Sequence, residues 1–309
     1  MASHGWPGLE LRYLAALEAI ADERSFGRAA DRLGYTQSAV SQQIAALERI
    51  VGERLIERPP GQRRVTLTDA GELLVRHARG IGARVRAAEA DLSALREGNG
   101  GLLRVGAFQS VSARILPSVL QRFGNAWPGV ELDLNEVNCD VELQRLVAAG
   151  QLDFAFALLP PRDGPFESVE LLRDPYVLLV RAGSPLADRP GPPAAAELEA
   201  LPLATFRPHP GHGSEEDHLR AQGISPSIVF RSDDNGTIRG LVAGGACAGL
   251  IPGLAVDPAD PQIAAIPVGD LVPARMIGLV WHRDRELAEC AASFIEEART
   301  VSATLEAVA

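Results

Sequence analysis

The stretch "TQSAVSQQIAALE", Thr36 to Glu48, is long enough for a helix and has no charged side chain before Glu48. Val40, Ile44 and Leu47 recur at the spacing of one helix face. The opposite face carries glutamine and serine, whose side chains hydrogen-bond to polar partners such as base edges and phosphates. A helix face that is merely solvated usually carries Glu and Lys instead. The stretch therefore predicts an amphipathic helix with a face suited to recognition.

Two shorter helices are predicted ahead of this one. Their apolar stripes at helical spacing are Leu11, Leu14, Leu17 and Ala21, and then Phe26, Ala29, Ala30 and Leu33. Ser25 is suited to cap the second helix, Gly34 to end it in a left-handed conformation, and Thr36 to cap the third. Three helices with a tight glycine turn between the last two predict a helix-turn-helix.

Residues 55–58 and 64–67 have the pattern of two short strands around a Pro-Pro-Gly turn. This pattern predicts a β-hairpin wing whose arginines suit phosphate or minor-groove contacts. Together the recognition helix, its caps and the wing give the predicted DNA-binding residues Ser25, Thr36, Gln37, Ser38, Ser41, Gln42, Arg58, Arg63 and Arg64.

The net charge of −10 belongs to the C-terminal two thirds of the chain. Residues 1–98 hold fourteen Arg against thirteen Asp and Glu, whereas the remainder holds sixteen Arg against twenty-seven acidic residues. The acidity therefore does not argue against nucleic-acid binding by the N-terminal region. The chain contains no lysine, which excludes a phosphate-binding GxxxxGK[ST] loop, a Schiff-base lysine and an SxxK nucleophile pair.

A long linker helix is predicted over residues 68–98, beginning at Thr68-Asp69. Its apolar positions are Leu73, Leu74, Ala78, Ile81, Val85, Ala88, Leu92 and Leu95. An isolated helix cannot bury this stripe, so we expect a helix of a second subunit to cover it in a homodimer or homotetramer. A dimer would also present two recognition helices to two DNA half-sites.

These regions resemble the LysR-type transcriptional regulators. The matching residues are Ser25-Phe26, Ala29-Ala30, Leu33, Gln37-Ser38-Ala39-Val40-Ser41, Ile44, Leu47-Glu48, Gly52, Leu55, Glu57-Arg58 and Leu67-Thr68-Asp69-Ala70-Gly71. The spacing holds without gaps, and the departures are Ile56 and Pro59-Pro60 in the wing. The resemblance implies binding of promoter DNA as a dimer or tetramer, and a C-terminal effector domain resembling periplasmic binding proteins. RNA polymerase is a further partner that such a role allows.

The region from residue 102 onward alternates strands and helices, which predicts a parallel sheet with crossover helices. An extended run over residues 169–181, interrupted by Pro175, is suited to cross into a second subdomain. The predicted strand at 274–281 would then return the chain to the first subdomain. The predicted fold is α/β overall, with a winged helix-turn-helix at 1–67, a dimerisation linker helix at 68–98 and a two-lobed effector domain at 102–309. Lobe I comprises residues 102–172 and 273–309, and lobe II comprises residues 173–272.

Two lobes joined by two crossings enclose a cleft, and ligands of open α/β sheets bind beyond the carboxyl ends of the strands. The residues predicted there to bind a small-molecule effector are Gln109, Ser110, Ser112, Asn138, Cys139, Phe206, Arg207, Asn235 and Thr237. Hydroxyls and backbone N–H groups at a helix start suit a carboxylate, which is one candidate for the effector. The alternative is that these residues are only helix caps and turns.

Other constellations are weaker. His209, His212 and His218 lie near acidic residues, but Pro208 and Pro210 mark a loop and the acids form a helix start, so no metal site is predicted. No GxSxG motif or nucleophile–base spacing occurs, so no enzyme, catalytic residue or cofactor is predicted.

Two alternatives to a ligand-responsive regulator remain. Cys139, Cys247 and Cys290 leave open a thiol-based redox sensor, and the two lobes leave open a solute-binding protein without a DNA function. The cysteines form no disulfide framework, and no apolar run reaches the ~18 residues of a membrane span. The N-terminus lacks the pattern of a secretion signal. We therefore expect a cytoplasmic protein with no membrane partner.

Overall fold

A computed structural model describes residues 6–57, 65–97, 101–188, 191–208, 213–285 and 287–306. The chain divides into two compact units, Met1–Glu89 and Ala90–Ala309, which are taken in turn below. In the described part of the chain, no helix combines the length and the apolar composition needed to cross a membrane.

The first unit is a three-helix domain followed by a short hairpin and the start of a long helix. Its elements are α1 (Leu11–Glu23), α2 (Phe26–Leu33), α3 (Gln37–Val51), β1 (Ile56–Glu57), β2 (Thr66–Leu67) and α4 (Asp69–Glu97), the last of which continues beyond the unit. The Ser25 hydroxyl accepts the Arg28 N–H at 3.4 Å, and the Thr36 hydroxyl accepts the Ala39 N–H at 3.2 Å. Gly34 ends α2 with a φ of 69°, a left-handed conformation that glycine adopts without strain.

The strands β1 and β2 pair antiparallel, with Ile56 opposite Leu67. They form the base of the predicted wing. The connecting residues 58–64, which include the predicted DNA contacts Arg58, Arg63 and Arg64, lie outside the described residues.

The first two turns of α4 belong to the core of this unit. Leu74, Val75 and Ala78 are buried with Leu17, Ile20, Val40, Ile44 and Leu47. On another face of α4, Leu73 and Ile81 are 50% and 39% exposed. One chain therefore leaves part of the apolar surface of α4 uncovered.

The second unit contains two lobes, each built on one sheet. The elements are β3 (Gly101–Ala107), α5 (Gln109–Arg114), α6 (Leu116–Ala126), β4 (Val130–Glu136), α7 (Asp140–Ala148), β5 (Phe154–Leu159), β6 (Phe166–Asp174), β7 (Tyr176–Arg181), α8 (Ala195–Ala200), β8 (Pro202–Thr205), α9 (Glu215–Ala221), β9 (Ser227–Arg231), α10 (Asn235–Ala243), β10 (Ala248–Pro252), β11 (Ile263–Pro267), β12 (Arg275–His282) and α11 (Glu289–Glu306). Among the described residues, the lobe I sheet has the strand order β4-β3-β5-β12-β6 and the lobe II sheet has the order β11-β7-β10-β8-β9.

Each described sheet is mixed rather than purely parallel. In lobe I, β12 runs antiparallel to both of its neighbours, and in lobe II β7 does the same. β7 is the first strand after the chain crosses from lobe I into lobe II, and β12 is the first strand after it returns to lobe I. The parallel strands end at the cleft, so a strand that enters from the cleft must run in the opposite direction. The prediction of a parallel sheet was therefore wrong for these two strands.

The two crossings are short. Only Pro175 separates β6 from β7, and seven residues separate β11 from β12. The Pro175 carbonyl accepts the Gly253 N–H at 2.7 Å, which fixes the first crossing to lobe II. The core of lobe I is centred on the aromatic rings of Phe123, Phe154 and Phe294, all fully buried.

Candidate functional site

The first candidate surface is the outer face of α3. Val40, Ile44 and Leu47 are buried beneath it, while Gln37 and Gln42 are exposed. Ser38 is also exposed and lies with its hydroxyl 3.0 Å from that of Thr36, whereas Ser41 is half-buried and Ser25 is engaged as the cap of α2. The structure therefore brings Thr36, Gln37, Ser38, Ser41 and Gln42 together on one helix and places Ser25 at the start of another.

The position of α3 relative to the hairpin is fixed by a residue that the sequence did not single out for a contact. A carboxylate oxygen of Glu48 accepts the Leu55 N–H at 2.9 Å and the Ile56 N–H at 3.3 Å. A second restraint is the Thr68 hydroxyl, which donates to the Arg54 carbonyl at 2.6 Å. The recognition helix and the base of the wing are thus held as one structural piece.

The second candidate site is a cavity of about 120 Å³ between the lobes. Its described lining residues are Phe108, Gln109, Ser110, Asn138, Asp140, Leu158, Tyr176, Phe206, Arg207, Pro208, Gly213, Ser214, Glu215, Asp233, Asn235 and Arg275. Six predicted effector-binding residues line it, namely Gln109, Ser110, Asn138, Phe206, Arg207 and Asn235. Three others lie beside it without contributing to the described lining, namely Ser112, Cys139 and Thr237.

Gln109 joins the two lobes across this cavity. Its side-chain N–H donates to the Asp234 carboxylate at 3.1 Å, and its side-chain oxygen accepts the Asn235 N–H at 2.8 Å. Asn138 adds a second bridge, because its amide donates to the Asp233 carbonyl at 3.3 Å and its oxygen accepts the Gln109 N–H at 3.1 Å. Hydrogen bonds from Thr237 and Gln109 also lower the pKa of Asp234. The structure therefore shows the lobes in contact.

Arg275, which sequence reasoning missed, lies at the start of β12 where the chain re-enters lobe I. Its guanidinium nitrogens Nε and Nη2 both lie 2.8 Å from one Asp174 oxygen. Nη2 also donates to the Ser110 hydroxyl at 2.9 Å, and the guanidinium lies 5.2 Å from the centre of the Phe108 ring. Asp174 ends β6, so this buried ion pair joins the two crossings. The signal that identifies Arg275 is a charged residue at the start of an otherwise apolar strand.

Glu215 and Tyr176 form a second buried polar pair that the sequence did not predict as a site. The Tyr176 hydroxyl is hydrogen-bonded to the Glu215 carboxyl, and only 6% of Glu215 is exposed. Burial raises the pKa of both groups above their ordinary values, and for Tyr176 the nearby Glu215 charge adds to the shift. The sequence does not single out Glu215, because an acidic residue at a helix start is typical of a cap. Ser214 and Asp217 do form that capping box.

The cysteines are free, and each is half-buried. Burial raises the pKa of the Cys247 and Cys290 thiols, which disfavours the reactive thiolate at both positions. Cys139 precedes α7. His209 and His212 lie outside the described residues, and among the described residues no group of three or more metal-ligating side chains occurs.

A helix-turn-helix with a hairpin, a long helix with an uncovered apolar face and a two-lobed α/β domain define a ligand-responsive DNA-binding regulator. Comparison with known families identifies which kind. Residues 11–72 match the model of bacterial regulatory helix-turn-helix proteins of the lysR family, and residues 96–303 match the LysR substrate binding domain. The chain belongs to the LysR family of transcriptional regulators, with a DNA-binding domain and an effector-binding domain.

The chain is similar to proteins named as transcriptional regulators, and the similarity covers most of their length. The HTH-type transcriptional regulator YnfL of Escherichia coli K12 is 31% identical over 93% of this chain and 96% of its own. The DNA-binding transcriptional dual regulator OxyR of the same strain is 31% identical over 88% of this chain and 89% of its own. The crystal structure of full-length CbnR with its target DNA has a TM-score of 0.65 and 25% identity, and covers 95% of this chain and 100% of that one.

Proposed function

We propose that the chain binds double-stranded promoter DNA through the outer face of α3, as a homodimer or homotetramer in the bacterial cytoplasm. The observation that carries this proposal is the exposed, uncharged row of Gln37, Ser38 and Gln42 above a fully buried apolar stripe. Glutamine amides pair with adenine edges, and serine hydroxyls bond to bases or phosphates in the major groove. The DNA complex of CbnR, which the chain resembles over its whole length, supports the same use of the domain.

The uncovered face of α4 supports the assembly. Leu73 and Ile81 lie eight residues apart, close to two helical turns, so they share one side of the helix. A second copy of α4 would bury both and bring two recognition helices onto adjacent half-sites. Arg58, Arg63 and Arg64 in the wing are proposed to contact phosphates on each side.

The cavity between the lobes is proposed to bind a small-molecule effector that alters promoter binding. Its lining comes from both lobes, and Gln109 and Asn138 hydrogen-bond across it. A ligand that competes with these hydrogen bonds, or adds to them, changes the relative free energies of lobe orientations. That change is proposed to reach the DNA through the assembly and to alter the contact with RNA polymerase. The proposal includes no catalytic step.

The experiment measures the affinity of the full chain for its promoter by fluorescence anisotropy, with variants of two neighbouring glutamines. Gln42→Ala removes an exposed amide, and we expect weaker binding and altered sequence preference. Gln43→Ala is the matched control, because its side-chain oxygen is buried on the same helix. Arg63→Ala should weaken binding to all sequences about equally and reduce the salt dependence. Equal promoter affinity and preference in Gln42→Ala and Gln43→Ala would refute the assignment of α3.

A thiol-based sensor is a second candidate, favoured by the similarity to a relative of Escherichia coli that is named as a hydrogen peroxide-inducible genes activator. The raised pKa values of Cys247 and Cys290 argue against a reactive thiolate at those positions. Promoter affinity measured before and after hydrogen peroxide decides between the two. A peroxide effect that Cys139→Ser or Cys247→Ser abolishes would establish the sensor and displace the effector mechanism.

A further inference from the structure

We propose that the effector is a small organic cation, in particular a primary amine with an apolar body, whose ammonium group pairs with the Glu215 carboxylate. The inference rests on the proposed function of the cavity as the effector site. It differs from the carboxylate that the helix-start residues alone suggest, and it follows from which charges around the cavity already have partners.

The cation Arg275 is already neutralised. Two of its nitrogens contact Asp174, one of these also donates to Ser110, and its planar face lies against Phe108. Asp174 is held in turn by the Leu254 N–H at 2.8 Å. A ligand carboxylate that bound Arg275 would have to share its charge with Asp174 or displace that carboxylate, and displacement would leave Asp174 buried without its counter-ion, which is strongly unfavourable.

The other cation among the described lining residues is Arg207, and it is also paired. Its Nη1 lies 3.1 Å from the Asp233 carboxylate, and its backbone N–H donates to the same carboxylate at 3.3 Å. The Arg207 side chain is 63% exposed, so its field is screened by solvent. It offers little attraction to an anion inside the cavity.

Glu215 is different, because its carboxyl is buried and lines the cavity. Among the described residues, no Arg or His side chain lies within salt-bridge distance of it, and the hydrogen bonds that it accepts come from the Tyr176 hydroxyl and its own backbone N–H. Burial raises the pKa of the Glu215 carboxyl and outweighs the opposing effects of its backbone N–H, the Tyr176 hydroxyl and the more distant charge of Arg275. A ligand ammonium would supply both the opposite charge and hydrogen-bond donors.

The other residues that line the cavity indicate the size and polarity of the rest of the ligand. Phe108, Phe206, Tyr176 and Leu158 present aromatic or aliphatic surface to the cavity. A volume of about 120 Å³ corresponds to roughly four water molecules. The site therefore suits an amine with a compact apolar group, and the aromatic faces also attract cations.

The experiment titrates the full chain, without DNA, with three probes of matched shape by isothermal titration calorimetry. The probes are 2-phenylethylamine, the uncharged 2-phenylethanol and the anion phenylacetate. We expect the amine to bind at least tenfold more tightly than either counterpart. Glu215→Gln should reduce amine affinity about tenfold, to that of the alcohol, and Glu215→Asp should retain part of the preference.

Glu216→Gln is the matched control, because it removes an identical charge one residue further along α9. Glu216 pairs with Arg220 and Arg231 and does not belong to the described lining. Amine binding that survives in Glu216→Gln and is lost in Glu215→Gln supports the inference. Tighter binding of phenylacetate, unchanged amine affinity in Glu215→Gln, or no amine binding up to about 10 mM, where so small a ligand is expected to bind, overturns it.

The outcome is independent of DNA binding. If phenylacetate binds and changes promoter affinity, the amine inference fails and the proposed function stands. If the amine binds through Glu215 but the chain has no promoter affinity, the proposed function fails and the ligand preference stands.

Discussion

Gly71 is the residue whose replacement tests most directly how the recognition helix and wing are held together. It lies in the first turn of α4, and a Cβ atom built there would be 2.1 Å from the Leu55 carbonyl oxygen and 3.3 Å from the Leu67 Cβ. The Leu55 carbonyl also accepts the Thr68 N–H at 3.0 Å. Gly71→Ala therefore forces α4 away from the base of the hairpin.

The size of the effect follows from three contributions. A separation of 2.1 Å must grow by about 1 Å to reach an ordinary contact, and overpacking of this kind costs about 1–3 kcal/mol. Loss of the Thr68–Leu55 hydrogen bond adds about 1 kcal/mol. The better helix propensity of alanine returns about 1 kcal/mol. We therefore expect Gly71→Ala to lower the free energy of unfolding of the first unit by about 2 kcal/mol.

Hydrogen exchange followed by mass spectrometry measures this unit separately from the effector domain. Protection of peptides from α1 to α3 should fall roughly thirty-fold in Gly71→Ala, the equivalent of about 2 kcal/mol. Gly80→Ala is the matched control on the same helix, because no described atom outside the adjoining turns of that helix lies within 4 Å of its built Cβ, and it should leave protection unchanged or increase it. Equal protection in the two variants would refute the steric argument.

Further predictions concern the cleft and the helix caps. Gln109→Ala removes two hydrogen bonds between the lobes, so exchange of the Asn235 amide should accelerate about tenfold, whereas Gln222→Ala, whose bonds stay within lobe II, should not affect it. Because the pKa of Glu215 is higher in the folded than in the unfolded protein, the unfolded state loses the proton first, and the free energy of unfolding falls as the pH rises between the two pKa values. Glu215→Gln should therefore gain more thermal stability over the wild type at about pH 7 than at about pH 4, and an equal gain at both would contradict this. Thr36→Ala should lower the unfolding free energy by about 1 kcal/mol in denaturant titration, and no change would contradict its role as a cap.

The DNA-binding unit was predictable because its signals are local. Ser25, Gly34 and Thr36 each act on their own helix, and the apolar stripes have one period throughout. Glu48 was not predictable as a contact for the hairpin, because its partners are backbone N–H groups seven and eight residues further along. No side-chain pattern in the sequence marks such an acceptor.

The cleft was predictable only in part, for a topological reason. Gln109, Asn138 and Phe206 follow strands that end at the cleft, so the rule for open α/β sheets finds them. Arg275 and Tyr176 begin strands that run in the opposite direction, and the same rule passes over them. The reversal depends on where the chain crosses between lobes, which is a property of the whole domain.

The contacts around the cleft differ in kind, and the difference bears on how an effector acts. Gln109 and Asn138 join the lobes through three hydrogen bonds of their side-chain amides. Asp174 and Arg275 join the two crossings through a buried ion pair with several contacts. A ligand competes far more easily with the former than with the latter. Lobe motion should therefore be a rotation about the crossings, with Ser110 linking the ligand site to the ion pair at the pivot.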